Sequence, residues 1–169
     1  MKFEILTTHH LKPLLDFELE NKAWFESLIE PRANDFYSEQ GVREHIAEQI
    51  NHMNLGTAYC GVLIQDNVIV ARGNLKGIVD NKASVGYRVS KQFTSQGFAS
   101  ACLTELIKIA QHKFAIKMLY AQVLDNNPAS QHVLEKQGFK VIGNKPNFIT
   151  LNNQQLACSE LSLKIVANE

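Results

Sequence analysis

Length, composition and charge restrict the protein class before any motif is considered. The chain has 169 residues, of which 45% are hydrophobic and 20% are charged, and this composition excludes disordered, collagen-like and coiled-coil proteins. Its 17 Lys and Arg residues balance 17 Asp and Glu residues, so no overall attraction to nucleic acid or to an anionic membrane is expected. We expect a single domain over residues 1–169 that holds any anionic ligand through local contacts.

The apolar segments are too short to cross a membrane. The longest clean apolar run, residues 60–64, is far below the roughly 20 residues that a bilayer requires. Residues 1–13 lack the apolar core of a secretory signal, so a cytoplasmic location is expected. The three cysteines form no C-x-x-C pair and the histidines show no metal-ligand spacing, so reduced, buried thiols and no metal are predicted.

The first third of the chain is predicted to contain one short strand and two helices. Residues 3–6 favour a strand, and apolar residues recur at helical spacing from about His9 to Leu28. Ser38 is a candidate N-cap for a second helix, whose apolar residues recur close to every four positions. Both helices precede the main strand region.

From Thr57 onward the pattern predicts an antiparallel meander. Residues 59–64 and 68–79 are β-branched runs joined by Asp66 and Asn67, which is typical of a hairpin. A second turn at residues 80–82 leads to a third strand at residues 84–89.

The remaining residues predict a strand–helix–strand unit followed by more strands. Gly97 opens an amphipathic helix that leads to a strand at residues 118–124. Asn127 and Pro128 begin another helix, which Gly138 ends. The last strands are predicted at residues 139–142, 147–151 and 156–166, with a turn at 152–153. The predicted fold class is therefore α+β, with a mixed sheet and helices on its faces.

The segment 92–99, between a strand and the amphipathic helix, is a candidate anion site. Backbone amides at a helix N-terminus point outward and the helix dipole favours negative charge, so a phosphate fits there. The segment is neither a Walker loop nor a dinucleotide fingerprint. A simple helix start is the alternative interpretation.

Several motifs resemble the GNAT superfamily of acetyl-CoA-dependent N-acetyltransferases. Gln92, Ser95 and Gly97 match the family's Q/R-x-x-G-x-G/A loop, with Ser95 in place of the first Gly. Residues 127–130 and 133–139 are similar to the family's N-x-x-S and v-L-e-k-x-G-F segments. Within the superfamily, the sequence resembles the RimJ/RimL branch. The resemblance implies a mixed, mostly antiparallel sheet of about seven strands flanked by about four α-helices.

The same resemblance implies a binding site for acetyl-CoA as cosubstrate. The loop amides would hold the pyrophosphate, the strand near residues 87–89 would pair with the pantetheine, and a backbone N–H there would polarise the thioester. If Ser95 must adopt a left-handed conformation, its side chain costs roughly 1 kcal/mol compared with glycine. The implied coenzyme-binding residues are Tyr87, Arg88, Val89, Gln92, Thr94, Ser95, Gln96, Gly97, Phe98, Ala99, Asn127 and Ser130.

For the chemical step, the resemblance implies Ser130 as the group that interacts with the departing thiolate. Many family members carry a Tyr seven residues after the Asn, but Leu134 occupies that position here. The general base is left open between Asp125, Glu18, Glu20 and water.

The expected acceptor is a primary amine, with a protein N-terminal α-amine, such as that of a ribosomal protein, as the first hypothesis. The alternatives are a small amine (polyamine, amino acid or antibiotic) and a non-catalytic acyl-CoA-binding protein. No nucleic acid or membrane partner is expected, and the protein is expected to be a monomer or a homodimer.

Overall fold

Seven strands form one sheet in the computed structural model, which describes residues 1–167. Their order across the sheet is β1-β2-β3-β4-β5-β7-β6, and neighbours are antiparallel except β4 and β5, which are parallel. The strands are β1 Lys2–Ile5, β2 Tyr59–Gln65, β3 Val68–Val79, β4 Lys82–Val89, β5 Met118–Leu124, β6 Lys140–Leu151 and β7 Gln154–Lys164. The predicted α+β class and the number of strands are confirmed.

Five α-helices cover the two faces of this sheet in the described part of the chain. They are α1 Leu11–Glu20, α2 Lys22–Glu26, α3 Glu39–Asn54, α4 Phe98–Phe114 and α5 Pro128–Lys136. One core lies between the sheet and the helices α4 and α5, and a second lies between the sheet and α1, α2 and α3. We refer to these as the α4/α5 face and the α1/α3 face. No helix within residues 1–167 is long and apolar enough to cross a membrane.

The local signals for turns and caps are confirmed. Asp66 and Asn67 have φ of 50° and 63°, the left-handed conformation that a tight hairpin turn requires. Ser38 caps α3 by accepting a hydrogen bond from the Gly41 N–H at 3.0 Å. The three cysteines are buried and free, as predicted.

The helix predicted from His9 to Leu28 is wrong in one respect, because it is divided at Asn21 into α1 and α2. The Asn21 side chain donates to the Phe17 carbonyl at 2.8 Å and accepts from the Lys91 N–H at 2.9 Å. These bonds tie the helix junction to the chain just after β4. A periodic apolar pattern does not reveal this break, because its partner lies far away in the sequence.

The two strands predicted at residues 139–142 and 147–151 are one strand, β6. The predicted gap between the two strands corresponds to irregular pairing with β7, with register shifts between Val141 and Gly143 and between Lys145 and Ile149. Asn147 has φ of 55° within the second. Pairing with β7 keeps the strand continuous across both irregularities.

A buried ion cluster connects α1 to the centre of the sheet. The Glu18 side chain is fully buried, and its oxygens lie 2.8 Å from Arg72 of β3, 3.3 Å from Arg88 of β4 and 3.7 Å from Arg32. The second guanidinium nitrogen of Arg72 donates to Nε2 of His45 on α3 at 2.9 Å. Because one carboxylate contacts three cations, removing it would leave one buried and two partly buried positive charges uncompensated.

His45 is therefore expected to make stability depend on pH. Burial, followed by the charges of Arg72, Arg32 and Arg88, lowers the pKa of His45 from 6.5 to about 3. Below pH 6.5 the unfolded chain binds a proton that the folded protein does not, so stability falls as pH decreases toward 3, by up to about 1.4 kcal/mol per pH unit. The free energy of unfolding, measured with urea at several pH values between 4.5 and 7.5, should depend less steeply on pH for His45→Gln than for the unchanged protein.

The matched control for this measurement is His112→Gln, which changes an exposed histidine on α4. We expect this variant to keep the slope of the unchanged protein. Identical slopes for His45→Gln and the unchanged protein would contradict a neutral, partly buried His45.

Candidate active site

The sheet opens between β4 and β5. The two strands pair in parallel over three residues of each, ending at Ser84 and Tyr120, and the ladder in the described chain does not continue beyond these residues. A cavity of about 810 Å³ lies at this opening. It contacts residues from both faces of the sheet, so two molecules can meet there from opposite sides.

On the α4/α5 face, the cavity is bordered by the loop between β4 and α4. Ser95 and Gly97 both have left-handed backbone conformations, with φ of 61° and 84°. A Cβ atom built on Gly97 would meet nothing within 4 Å, so glycine is favoured here by backbone conformation and not by lack of space. The edge-to-face contact between Phe93 and Phe98, with ring centroids 5.7 Å apart, fixes the two ends of the loop.

The loop presents the N-terminus of α4 to the cavity. Gly97 is the N-cap, and within residues 1–167 no side chain accepts a hydrogen bond from this helix end. The first amides of a 17-residue helix, together with its dipole, are therefore available to an anion.

The N-terminus of α5 faces the same cavity. Asn127 accepts a hydrogen bond from the Ser130 N–H at 3.2 Å, which confirms the predicted N-cap. This bond uses one lone pair of the amide oxygen and leaves the Asn127 NH₂ group for a further interaction. The predicted coenzyme role of Asn127 is compatible with the cap.

A hydroxyl pair connects β4 to α5 across the opening. The Tyr87 hydroxyl lies 3.1 Å from the Ser130 Oγ and 3.2 Å from the Ser130 carbonyl oxygen, to which it donates. Burial raises the pKa of Tyr87 to about 12, even though the hydrogen bond with Ser130 lowers it. The phenol therefore stays protonated at neutral pH. When Tyr87 instead donates to the Ser130 Oγ, the Ser130 hydroxyl hydrogen is free to interact with a group in the cavity.

On the α1/α3 face, the lining is cationic. Arg32, Arg72, Lys76 and Arg88 all line the cavity. Among the cavity-lining residues, all of which lie in the described chain, no side chain is a carboxylate. This face of the cavity thus carries positive charge, although the chain as a whole is neutral.

Most of the predicted coenzyme residues come together at the cavity. Three of them, Gln92, Gln96 and Phe98, do not line it. Gln96 donates to the Gln92 carbonyl at 2.9 Å, and Phe98 packs against Phe93. Gln92 borders a separate shallow depression beside Glu20. Those that line the cavity are Tyr87, Arg88, Val89, Thr94, Ser95, Gly97, Ala99, Asn127 and Ser130.

The three carboxylates considered as general bases do not line the cavity. Glu18 is fully buried and engaged by the arginines, while Glu20 and Asp125 are exposed outside it. Within residues 1–167, no group of three or more His, Cys, Asp or Glu side chains is arranged to hold a metal ion. Of the alternatives left open by the sequence, this geometry favours water as the acceptor of the amine's proton.

The sequence analysis missed the cationic face of the cavity. One signal was available, because Arg72 interrupts the apolar run of β3 and is only 6% exposed. A buried arginine in a strand requires an anionic partner, which the pattern of β3 does not identify. Arg32, Lys76 and His45 carried no comparable signal.

Comparisons with known proteins identify the family and the fold. The family described as "Acetyltransferase (GNAT) domain" matches residues 5–140. The probable N-acetyltransferase YjcK of Bacillus subtilis (strain 168) is 27% identical over 130 residues, which cover 74% of this chain and 72% of that protein.

Two solved structures show how widely the fold is shared. RimL, a ribosomal L7/L12 alpha-N-protein acetyltransferase in complex with coenzyme A, has a TM-score of 0.88 at 20% identity, covering 96% of this chain and 93% of its own. A chimera of the spermidine N-acetyltransferase SpeG from Vibrio cholerae with hSSAT has a TM-score of 0.79 at 14% identity, covering 97% and 96%. At these identities the likeness establishes the fold and leaves the acceptor open. Because the family match spans well over half of its residues, the chain belongs to the GNAT acetyltransferase family.

Proposed function

We propose that this protein transfers the acetyl group of acetyl-CoA to the α-amine at the N-terminus of a peptide or protein. The observation that carries the proposal is the opening between β4 and β5, which joins an amide-rich anion site to a cationic, carboxylate-free face. RimL, which is described as an alpha-N-protein acetyltransferase and was solved with coenzyme A, shares this fold.

The coenzyme fits the α4/α5 face. The loop at residues 94–97 and the N-terminus of α4 offer amides to the pyrophosphate without a basic side chain. The unpaired edges of β4 and β5 offer backbone groups to the pantetheine amides, as an added strand would use them. A backbone N–H of β4 near residues 87–89 would stabilise the negative charge that develops on the thioester oxygen.

The hydroxyl pair suits the leaving group. When the amine nitrogen bonds to the acetyl carbon, the carbon–sulfur bond breaks and a thiolate departs. The Ser130 hydroxyl, oriented by Tyr87, can donate a hydrogen bond to that sulfur. An aliphatic hydroxyl is a weak acid, so its main contribution is to stabilise negative charge.

The acceptor side favours an amine that loses its proton easily. With no carboxylate lining the cavity and several cations nearby, an ammonium group is destabilised there. At pH 7.5 about a third of peptide α-amines are neutral, against about one in a thousand lysine side chains, from their ordinary pKa values. The same cations disfavour polyamines, the small-amine alternative with the most positive charge.

The proposal predicts selectivity for α-amines. With acetyl-CoA, we expect thiol release from peptides with a free N-terminus, but less than about a hundredth of that rate from the same lysine-containing peptides with acetylated N-termini, or from spermidine. Thiol detection and mass spectrometry measure rate and site. Equal or faster transfer to lysine or spermidine would contradict the proposal, and coenzyme binding without transfer to any amine would support the non-catalytic alternative.

Replacing Ser130 by Ala should lower turnover. Loss of one hydrogen bond to a charged leaving group costs about 1.5–3 kcal/mol, so we expect kcat to fall roughly 10- to 100-fold. The Kd for coenzyme A, measured by calorimetry, should stay within about twofold. A large change in affinity with unchanged kcat would place Ser130 in coenzyme binding only.

Substitutions at Ser95 should change coenzyme affinity through the backbone. The left-handed conformation at φ of 61° is easy for Gly, costly for Ser and most costly for a β-branched residue. We therefore expect affinity for coenzyme A to decrease in the order Ser95→Gly, unchanged protein, Ser95→Val, with steps of about fivefold. Calorimetry tests the order, and melting temperatures separate binding from folding. Equal affinities would show that this conformation is not needed for binding.

A further inference from the structure

The cationic face contains more positive charge than the protein itself neutralises. Four cationic side chains, Arg32, Arg72, Lys76 and Arg88, line it, and Glu18 is the carboxylate that contacts three of them. His45 adds no charge at neutral pH, because burial and the arginines hold its pKa at about 3. Since partly buried cations without counterions are unfavourable, an anionic ligand would bind to this face and compensate them.

Two of the arginines have hydrogen-bond donors to spare. Arg72 uses its two terminal nitrogens on Glu18 and His45. Arg88 makes one hydrogen bond to Glu18, and the terminal nitrogen of Arg32 nearest to Glu18 lies 3.7 Å away, beyond hydrogen-bond distance. Each guanidinium group carries a fork of N–H donors that matches a carboxylate or a phosphate.

These two arginines are also held in place before any ligand binds. The Arg32 guanidinium stacks on Phe36 with its carbon 4.3 Å from the ring centroid, and that of Arg88 stacks on Phe25 at 4.9 Å. Their side chains are 26% and 22% exposed, so they are neither free in solvent nor sealed from the cavity. Fixed donors lose little entropy when an anion binds.

Arg88 lies on the opposite face of β4 from the contact between Tyr87 and Ser130. Arg88 directly follows Tyr87, and alternate residues of a strand point to opposite faces. Tyr87 contacts Ser130 of α5, whereas Arg88 contacts Glu18 of α1. The anion site therefore lies on the acceptor side of the strand that carries the proposed thioester contact. An extended peptide advances about 3.3 Å per residue and its successive side chains point to opposite sides, so we expect either its second or its third side chain to face this site.

From this arrangement we infer that the preferred acceptor is a peptide whose second or third residue carries a carboxylate, bound by Arg32 and Arg88. The inference rests on the proposed function and narrows it from any N-terminal α-amine to acidic N-terminal segments. A phosphoserine at the same position presents the same oxyanion chemistry and is compared with the carboxylate below.

Matched peptides test the preference on the unchanged protein. Peptides beginning Ser-Glu-Glu and Ser-Gln-Gln, identical thereafter, differ near the amine in charge at almost equal side-chain size, and a Ser-Lys-Lys peptide, with acetylation assigned to the α-amine by mass spectrometry, reverses the charge. We expect kcat/KM for the acidic peptide to exceed that of the neutral one by tenfold or more, with the basic peptide slowest. The advantage should shrink as salt increases, because part of it is electrostatic.

Variants assign the preference to the arginines. Arg32→Gln should reduce the ratio of acidic to neutral kcat/KM to about a third or less of its original value, and Arg32→Glu should reverse the preference. The matched control is Arg43→Gln on α3, an exposed arginine paired with Glu39, which should leave the ratio unchanged. The KM for acetyl-CoA and the melting temperature are measured for each variant, and the peptide comparison above needs no variant.

The outcomes separate this inference from the function on which it rests. Equal kcat/KM for acidic and neutral peptides would overturn the inference and leave α-amine transfer intact. Transfer to spermidine with none to any peptide α-amine would overturn the proposed function itself. Free glutamate acetylated as fast as the acidic peptide would overturn the peptide assignment, and a phosphoserine peptide faster than the Glu peptide would overturn the carboxylate in favour of phosphate.

Discussion

The early separation of β4 from β5 is the constraint on which the site depends. A parallel pair that continued to Val89 and Leu124 would satisfy its own backbone groups and leave no passage through the sheet. Pairing instead stops at Ser84 and Tyr120, and α4 and α5 begin close to the freed ends of the two strands. Backbone edges, helix N-termini and the Tyr87–Ser130 contact thus meet at one opening because two strands part.

The ion cluster around Glu18 holds the arginines in place on one side of this opening. It links α1 to β3 and β4 on the α1/α3 face of the sheet. An apolar side chain in the place of Glu18 would avoid the free energy of removing a carboxylate from water, so the cluster is not explained by stability alone. What the cluster does is orient the arginines. Glu18 fixes Arg72, Arg72 engages His45, and Arg88 is held between Glu18 and Phe25, so the cationic lining of the cavity is rigid.

How far the sequence determines these features depends on how local they are. The turn at Asp66 and Asn67, and the cap formed by Asn127 at the start of α5, involve neighbouring residues and are readable from sequence. The break at Asn21 depends on a bond to Lys91, 70 positions away. The cationic face combines residues from β3, β4 and a loop, and its contacts with Glu18 and His45 add α1 and α3. No single segment of the sequence contains that pattern, and only the fold brings its residues together.

The balance of 17 cationic and 17 anionic side chains conceals a separation in space. Exposed pairs such as Lys12 with Asp16 are solvated and contribute little to stability. The cations of the cavity are partly desolvated, so each is worth more to a bound anion than a surface lysine would be. The left-handed backbone of Ser95 and this uncompensated charge are both unfavourable in the free protein. Both lie at the cavity, where the binding of a ligand would offset their free energies. Because the protein as a whole is neutral, its surface does not attract anions over a long range. Discrimination among acceptors must therefore occur at the cavity, through geometry as well as charge.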